Sequence, residues 1–180
     1  MNPELQLLIS QEEIAQTVDG LARAINQDYR DQPLILVGIL KGAFVFLADL
    51  MRQLQVPVQR VELIRLSSYG TRTRSSGTVQ VLLDLPPQLL RHQPVLLVED
   101  IVDTGLSTAK ALQMLQQQQP ASLRLCALLD KPARRQVPVH IDYLGCTVPD
   151  QFIVGYGIDW KEQYRHLPAI YTVQQLEADA

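Results

Sequence analysis

Cysteine is scarce: only Cys126 and Cys146 occur among 180 residues. They match no metal-binding or redox spacing, and each falls in an apolar, strand-like run. A disulfide framework is therefore excluded, and buried free thiols in a reducing compartment are expected. Positive charge is not in surplus either. Sixteen Lys and Arg against nineteen Asp and Glu leave a net charge of −3, without the basic footprint of a nucleic-acid-binding surface. No apolar run reaches the roughly 20 residues that span a bilayer. The N-terminus carries Glu4 and no basic segment ahead of an apolar one, so it does not read as a secretory signal. The expectation is a cytoplasmic protein with no membrane and no nucleic acid as partner. Internal repeats and Gly/Ser-rich linkers are lacking too, so residues 1–180 read as one domain with length enough for a substantial core.

What is present is concentrated in Pro94 to Leu115, PVLLVEDIVDTGLSTAKALQML. Val95 to Val98 is too short for a helix and reads as a strand buried on both faces of a parallel sheet. The apolar run stops at two adjacent acids, Glu99 and Asp100, and Asp103 follows. Thr104, Gly105, Leu106, Ser107 and Thr108 then lead into a helical pattern carrying Ala111, Leu112 and Leu115. In open α/β sheets, ligands bind just beyond the carboxyl ends of strands. Backbone amides of a Thr-Gly-x-Ser turn at a helix start suit a phosphate. The paired acids cannot hold that same anion. They suit ribose hydroxyls or Mg²⁺, a hard cation that prefers oxygen ligands. A solvated acidic turn with a Thr/Ser N-cap is the plainer alternative, and the residues alone leave both open.

In chain order, Ser10 to Tyr29 reads as an amphipathic helix. Ser10 and Glu13 form a capping box, and Ile14, Val18, Leu21, Ala22 and Ile25 form one stripe. Leu34 to Ile39 reads as a buried strand and Ala43 to Leu54 as an apolar helix. The Leu40-Lys41-Gly42 turn between them could hold a second anion. Strands at Val58 to Leu66 and Thr78 to Leu83 flank a polar connector, Ser67 to Gly77, which is either a lid or a disordered tip. Ser122 to Leu129 is a further strand, ending at Asp130, Lys131 and Pro132. Lys131 carries only donors and can meet a carbonyl. Arg134 and Arg135 read as solvated charge, His140 to Cys146 as a strand, and His92 and His166 as surface residues. Thr147 to Tyr171 breaks the α/β rhythm and reads as a small lobe over the sheet's carboxyl edge.

Five segments in order, LVGILKGAFVF, SSYGTRTRSSG, VEDIVDTG, LLDKPARR and PDQFIVGYGIDWKEQYRHLP, resemble the type I phosphoribosyltransferases, and among them the bacterial hypoxanthine-guanine branch. They run from about Leu36 to Pro168. The resemblance implies an α/β fold: an open, mostly parallel twisted sheet flanked by helices, with a core over about 30–146. A small C-terminal hood over about 147–180 would be joined by the N-terminal segment. It implies transfer of a 5-phosphoribosyl group from phosphoribosyl diphosphate to a 6-oxopurine base, with Mg²⁺, in a homodimer or homotetramer. A xanthine-preferring enzyme and a non-catalytic nucleotide-binding regulator are the alternatives.

The same resemblance distributes roles. Asp103 exchanges a proton with purine N7, and Asp103 to Thr108 form the 5′-phosphate loop. Glu99 and Asp100 hold ribose and metal. Lys41, Gly42 and Arg165 bind diphosphate, with a cis Leu40–Lys41 peptide. Ser68 and Tyr69 belong to a closing lid. Lys131, Phe152, Ile153 and Asp159 bind the purine, Asp159 also serving the metal. Two positions depart from the family pattern: Leu106 stands in the phosphate loop where a polar or basic residue is common, and Trp160 stands where tyrosine is common.

Overall fold

The computed structural model describes residues 4–69 and 78–174. Helix α1 (Gln11–Asp28) begins at the expected box: Glu13 N donates to Ser10 Oγ at 3.2 Å, and Ser10 N donates to Glu13 Oε2 at 2.8 Å. Its buried stripe is Ile14, Val18, Leu21, Ala22 and Ile25, the i, i+4, i+7, i+8, i+11 spacing of one helical face. Strand β2 (Leu34–Leu40) is buried at every position from Leu34 to Ile39, and the helix α2 (Phe44–Gln53) follows it. Strands β3 (Val58–Tyr69) and β4 (Thr78–Leu83) pair antiparallel. Strand β5 (Pro94–Val102), helix α3 (Leu106–Gln117), strand β6 (Ser122–Asp130) and strand β7 (Tyr143–Thr147) complete the main layer.

The six strands lie in the order β4-β3-β2-β5-β6-β7, parallel except for β4 at one edge. Alternate side chains along β2, β5 and β6 feed two separate cores, as the two-residue period of a strand requires. Leu34, Leu36, Leu96, Val98, Cys126 and Leu128 pack with α1 and α2. Ile35, Val37, Val95, Leu97, Leu125 and Ala127 pack with Ala111 and Leu115 of α3 on the opposite face. The chain leaves β2 toward β3 and leaves β5 toward β6, in opposite directions. The carboxyl ends of β2 and β5 therefore bound a crevice that no connection covers, which is where open α/β sheets bind ligands.

A second, three-stranded antiparallel sheet is built from both ends of the chain. Strand β1 (Glu4–Ile9) pairs with β9 (Ile170–Gln174), which pairs with β8 (Ile153–Val154). The N-terminal segment thus joins the C-terminal lobe, although the strand itself was not anticipated. Three boundaries differ from expectation. Strand β3 runs past Leu66 to Tyr69, because Ser67, Ser68 and Tyr69 stay in register with Gln80, Val79 and Thr78 of β4. Strand β5 does not stop at the acids but runs through them to Val102, because Glu99, Ile101 and Val102 stay in register with Ala127, Leu129 and Asp130. Strand β7 starts at Tyr143 and not at His140; Leu125 N donates to Asp142 Oδ2 at 2.8 Å, so the residues before Tyr143 turn in to meet β6 through a side chain. The Leu40–Lys41 peptide is cis. Among the described residues no helix is long and apolar enough to cross a membrane.

Candidate active site

The crevice between β2 and β5 opens into a cleft of about 410 Å³. Lys41 and Gly42 enter it from the end of β2, and Glu99, Asp100 and Asp103 from β5 and its exit. Thr104, Gly105, Ser107 and Thr108 line it from the start of α3, and Asp159 and Arg165 from the C-terminal lobe. The acid cluster, the phosphate-type turn, the β2 turn and the lobe's charged pair therefore share one rim. The wall of this cleft stops short of Leu106, Lys131, Phe152 and Ile153.

Helix α3 begins without a side-chain cap, because its N-cap is Gly105 at φ 84°. A side chain at Gly105 is excluded twice: φ is left-handed, and a Cβ would stand 2.6 Å from the carbonyl oxygen of Val137. The helix dipole and the first-turn amides at this uncapped start suit an anion. The Leu106 amide donates to Thr104 Oγ1 at 3.4 Å. The segment after β6 supports that turn from behind: Gln136 N and Val137 N donate to Thr104 O at 2.9 and 3.2 Å.

Glu99 and Asp100 are buried, at 6% and 7% exposure. Thr108 Oγ1 lies 3.4 Å from Glu99 Oε2. Burial raises both carboxyls above their ordinary range, and the neighbouring Asp100 charge pushes Glu99 up further. Gly42 is packed directly on Asp100, since a Cβ there would fall 1.9 Å from Asp100 Oδ2. Two buried, hard oxygen donors that resist carrying two negative charges suit Mg²⁺. Among the described residues no three His, Cys, Asp or Glu side chains cluster as a metal cage. Glu99 and Asp100 lie together in β5, and Asp159 faces the cleft from the C-terminal lobe. Asp159 pairs with Arg165 Nη2 at 2.6 Å and accepts Glu162 N at 2.8 Å. An ion on Glu99 and Asp100 would draw its remaining oxygens from substrate and water.

Arg165 is largely buried and donates from Nη1 to Gly157 O at 2.7 Å, while its Nε is buried without a hydrogen-bond partner. Lys41 Nζ reaches Glu162 Oε2 at 2.8 Å. Asp103 keeps one buried oxygen, Oδ1, free of hydrogen bonds, with Arg134 Nε 3.7 Å away. Lys131 is only 4% exposed and donates from Nζ to the Gln151 carbonyl at 2.8 Å. Burial lowers its pKa, while the Asp103 charge nearby works the other way. That contact joins the strand end to the segment carrying Phe152 and Ile153. Ile153 is buried in β8, whereas Phe152 stays 37% exposed, an aromatic face left out of the core.

Arg135 corrects an expectation. It is not solvated: its guanidinium forms an ion pair with Asp130 and donates to Val102 O at 3.2 Å, with 18% of the side chain exposed. The chain after β6 folds back beneath the α3 turn and carries Arg135 inward. Arg134, half-exposed, faces Asp103 and Asp150. Glu162 was also missed. Nothing in an exposed Lys-Glu-Gln run predicts that it would reach Lys41, 121 positions away. Ser68 and Tyr69 close β3 in register with Val79 and Thr78. The rest of the expected lid, residues 70–77 with Arg72 and Arg74, lies outside the described residues.

Comparison with known proteins gives consistent results. The family model for the phosphoribosyl transferase domain matches residues 8–161. The chain is similar to the hypoxanthine phosphoribosyltransferase of Salmonella typhimurium, at 41% identity over 179 residues, covering 98% of this chain and 99% of that protein. It is similar to the hypoxanthine-guanine phosphoribosyltransferase of Aquifex aeolicus, at 44% identity over 172 residues and 95% and 96% coverage. The crystal structure of a Bacillus anthracis hypoxanthine-guanine phosphoribosyltransferase matches with a TM-score of 0.88 at 39% identity, covering 96% of this chain and all of that one.

Proposed function

Because the chain belongs to the phosphoribosyl transferase family, we propose that it transfers the 5-phosphoribosyl group of phosphoribosyl diphosphate to hypoxanthine and guanine. Its products are the corresponding nucleoside monophosphates and diphosphate, the reaction of purine salvage. The observation that carries this reading is the single cleft in which an uncapped helix start, a buried acid pair and a second glycine turn meet. Such a cleft suits a ligand with an anion at each end and hydroxyls between.

The 5′-phosphate rests on the amides of Thr104 to Ser107. Glu99 and Asp100 take the ribose hydroxyls, and they are the residues that would hold Mg²⁺. When bound, that ion neutralises the diphosphate oxygens. At the far end Lys41, Gly42 and Arg165 receive the departing diphosphate, whose loss leaves an oxocarbenium-like sugar. The purine lies against Phe152, with Ile153 and Asp159 at its edge. Its 6-oxo group accepts from Lys131, whose ammonium has three donors and keeps the Gln151 bond as it does so. An amino group at position 6 would meet only donors, so adenine is disfavoured. Asp103 exchanges a proton at N7, which makes N9 the better nucleophile. Ser68 and Tyr69, at the end of β3, belong to the lid that keeps water from the sugar cation.

Phe44 and Met51 on α2, 46% and 37% exposed, leave apolar surface that suits assembly into a homodimer or homotetramer, and the enzyme works in the cytoplasm. The test is diphosphate release from phosphoribosyl diphosphate with hypoxanthine, guanine, xanthine, adenine or no base. Release with the first two, and little with adenine or without base, is expected. Release without any base would make the protein a hydrolase and overturn the reading.

A further inference from the structure

Glu162 has no part in the roles assigned so far, yet it touches both cations of the diphosphate end. Its Oε2 lies 2.8 Å from Lys41 Nζ and 3.4 Å from Arg165 Nη2. Lys41 holds the Glu162 carboxyl below its ordinary range, so it is ionised at neutral pH. The residue sits on a turn in which Lys161, Glu162 and Tyr164 all have left-handed φ, at 52°, 65° and 72°, a conformation uncommon for side chains other than glycine.

Charge decides what this contact does. Lys41 and Arg165 supply two positive charges, and Asp159 and Glu162 already answer them with two negative ones. An incoming diphosphate cannot pair with the same cations while both carboxylates stay in place. Asp159 is the better anchored: it is 29% exposed and engages Arg165 with one oxygen and the Glu162 amide with the other. Glu162 is 65% exposed, and water stands ready to solvate it when it leaves. Resting on the proposed role of Lys41 and Arg165, we propose that Glu162 is an internal competitor of diphosphate. Its carboxylate is displaced from the two cations when phosphoribosyl diphosphate binds and returns to them as product diphosphate leaves. Glu162 therefore sets the affinity of the enzyme for both diphosphates.

The proposal predicts a gain that loss of structure cannot imitate. In the full-length Glu162→Gln enzyme at low ionic strength, the KM for phosphoribosyl diphosphate and the inhibition constant of diphosphate both fall. The expected range is about 1.5- to 5-fold, the span of an exposed ion pair, and the KM for hypoxanthine stays unchanged. The same substitution in a Lys41→Gln background has a smaller effect on both constants. Calorimetric titration with diphosphate alone, on wild type and Glu162→Gln, reads the same change without turnover, so it stands even if no transfer is detected. Wild-type protein that transfers to no base defeats the functional reading only. Unchanged or weaker diphosphate binding in Glu162→Gln overturns the competitor role.

Discussion

Gly42→Ala separates the site from the scaffold. The added Cβ would lie 1.9 Å from Asp100 Oδ2, 2.5 Å from its Cγ and 2.8 Å from its Oδ1. Gly42 does not have a left-handed φ, so the whole effect is steric and falls on one carboxylate. That carboxylate is buried beside Glu99 and cannot step aside into solvent. Overpacking of this kind costs about 1–3 kcal/mol. At about 2–4 °C per kcal/mol for a chain of this size, the melting temperature should fall by about 2–12 °C. A carboxylate moved by about 1 Å in a reacting site costs on the order of 10²-fold in kcat/KM. Gly38→Ala is the matched control, from the interior of β2, the strand that leads into the Gly42 turn. Its Cβ would meet Leu47 Cδ2 at 2.7 Å and Leu63 Cδ2 at 3.3 Å, two flexible side-chain tips far from chemistry. Thermal melts and steady-state kinetics on both variants should show destabilisation in each and lost kcat/KM for phosphoribosyl diphosphate only in Gly42→Ala. Wild-type kcat/KM in Gly42→Ala would refute the argument, as would an equal loss in Gly38→Ala.

Asp103→Asn should retain KM for phosphoribosyl diphosphate while turnover falls about 10²- to 10⁴-fold, the usual worth of general acid–base help; initial rates at saturating substrate decide it. In the proposed role of Lys131, Lys131→Gln removes a charged donor to the 6-oxo group, so kcat/KM for hypoxanthine should drop about 10- to 100-fold with phosphoribosyl diphosphate binding unchanged. Asp28 receives the Tyr143 hydroxyl at 2.7 Å and Arg124 Nη1 at 2.6 Å, which hold its carboxyl below the ordinary 3.8. Its stabilising contribution is therefore present above that pH and lost as pH falls through the lowered value. Melting temperatures of Asp28→Asn should fall less steeply than wild type on the acid side of about pH 4.

The scaffold was legible because its signals are local. The Ser10–Glu13 box and the Ile14 to Ile25 stripe report one helix within its own sequence, and the all-apolar Leu34 to Ile39 run reports a strand covered on both faces. The start of α3 was legible for the same reason: the turn ends at Gly105, whose left-handed φ opens the helix. What escaped was set by distant partners. Strand β1 forms only because β9 lies beside it, 161 or more positions on, in the pairing of Ile9 with Ile170. Arg134 and Arg135 are chemically identical neighbours, yet one faces Asp103 from the surface and the other turns inward onto Asp130. Only the fold-back beneath Thr104 distinguishes them. Glu99 and Asp100 looked like the end of a strand because the apolar pattern ended there, whereas hydrogen bonding to β6 carried the strand past them.

That last difference bears on what the cleft can accept. Acids on a loop beyond a strand would be solvated and could stay ionised at little cost. Acids inside β5 are buried, and burial opposes their charge. They need a counter-ion or hydroxyl donors, and Arg165 from the C-terminal lobe supplies part of that charge at Asp100. The start of α3 lies on one side and the Lys41–Gly42 turn on the other, both without side-chain caps on the helices they open. Under the proposed assignment, this order along one crevice suits a ligand with the complementary order of phosphate, diol with cation, and diphosphate. A ligand with a single phosphate satisfies only one end of the crevice. The prediction is graded affinity. Inorganic phosphate and diphosphate should each bind weakly by calorimetry, and a phosphoribosyl diphosphate analogue stable to transfer should bind more tightly than either, with Mg²⁺ strengthening the analogue most. Equal affinity for diphosphate and the analogue would show that the acids and the α3 turn contribute nothing, and the assignment of the crevice would fall with them.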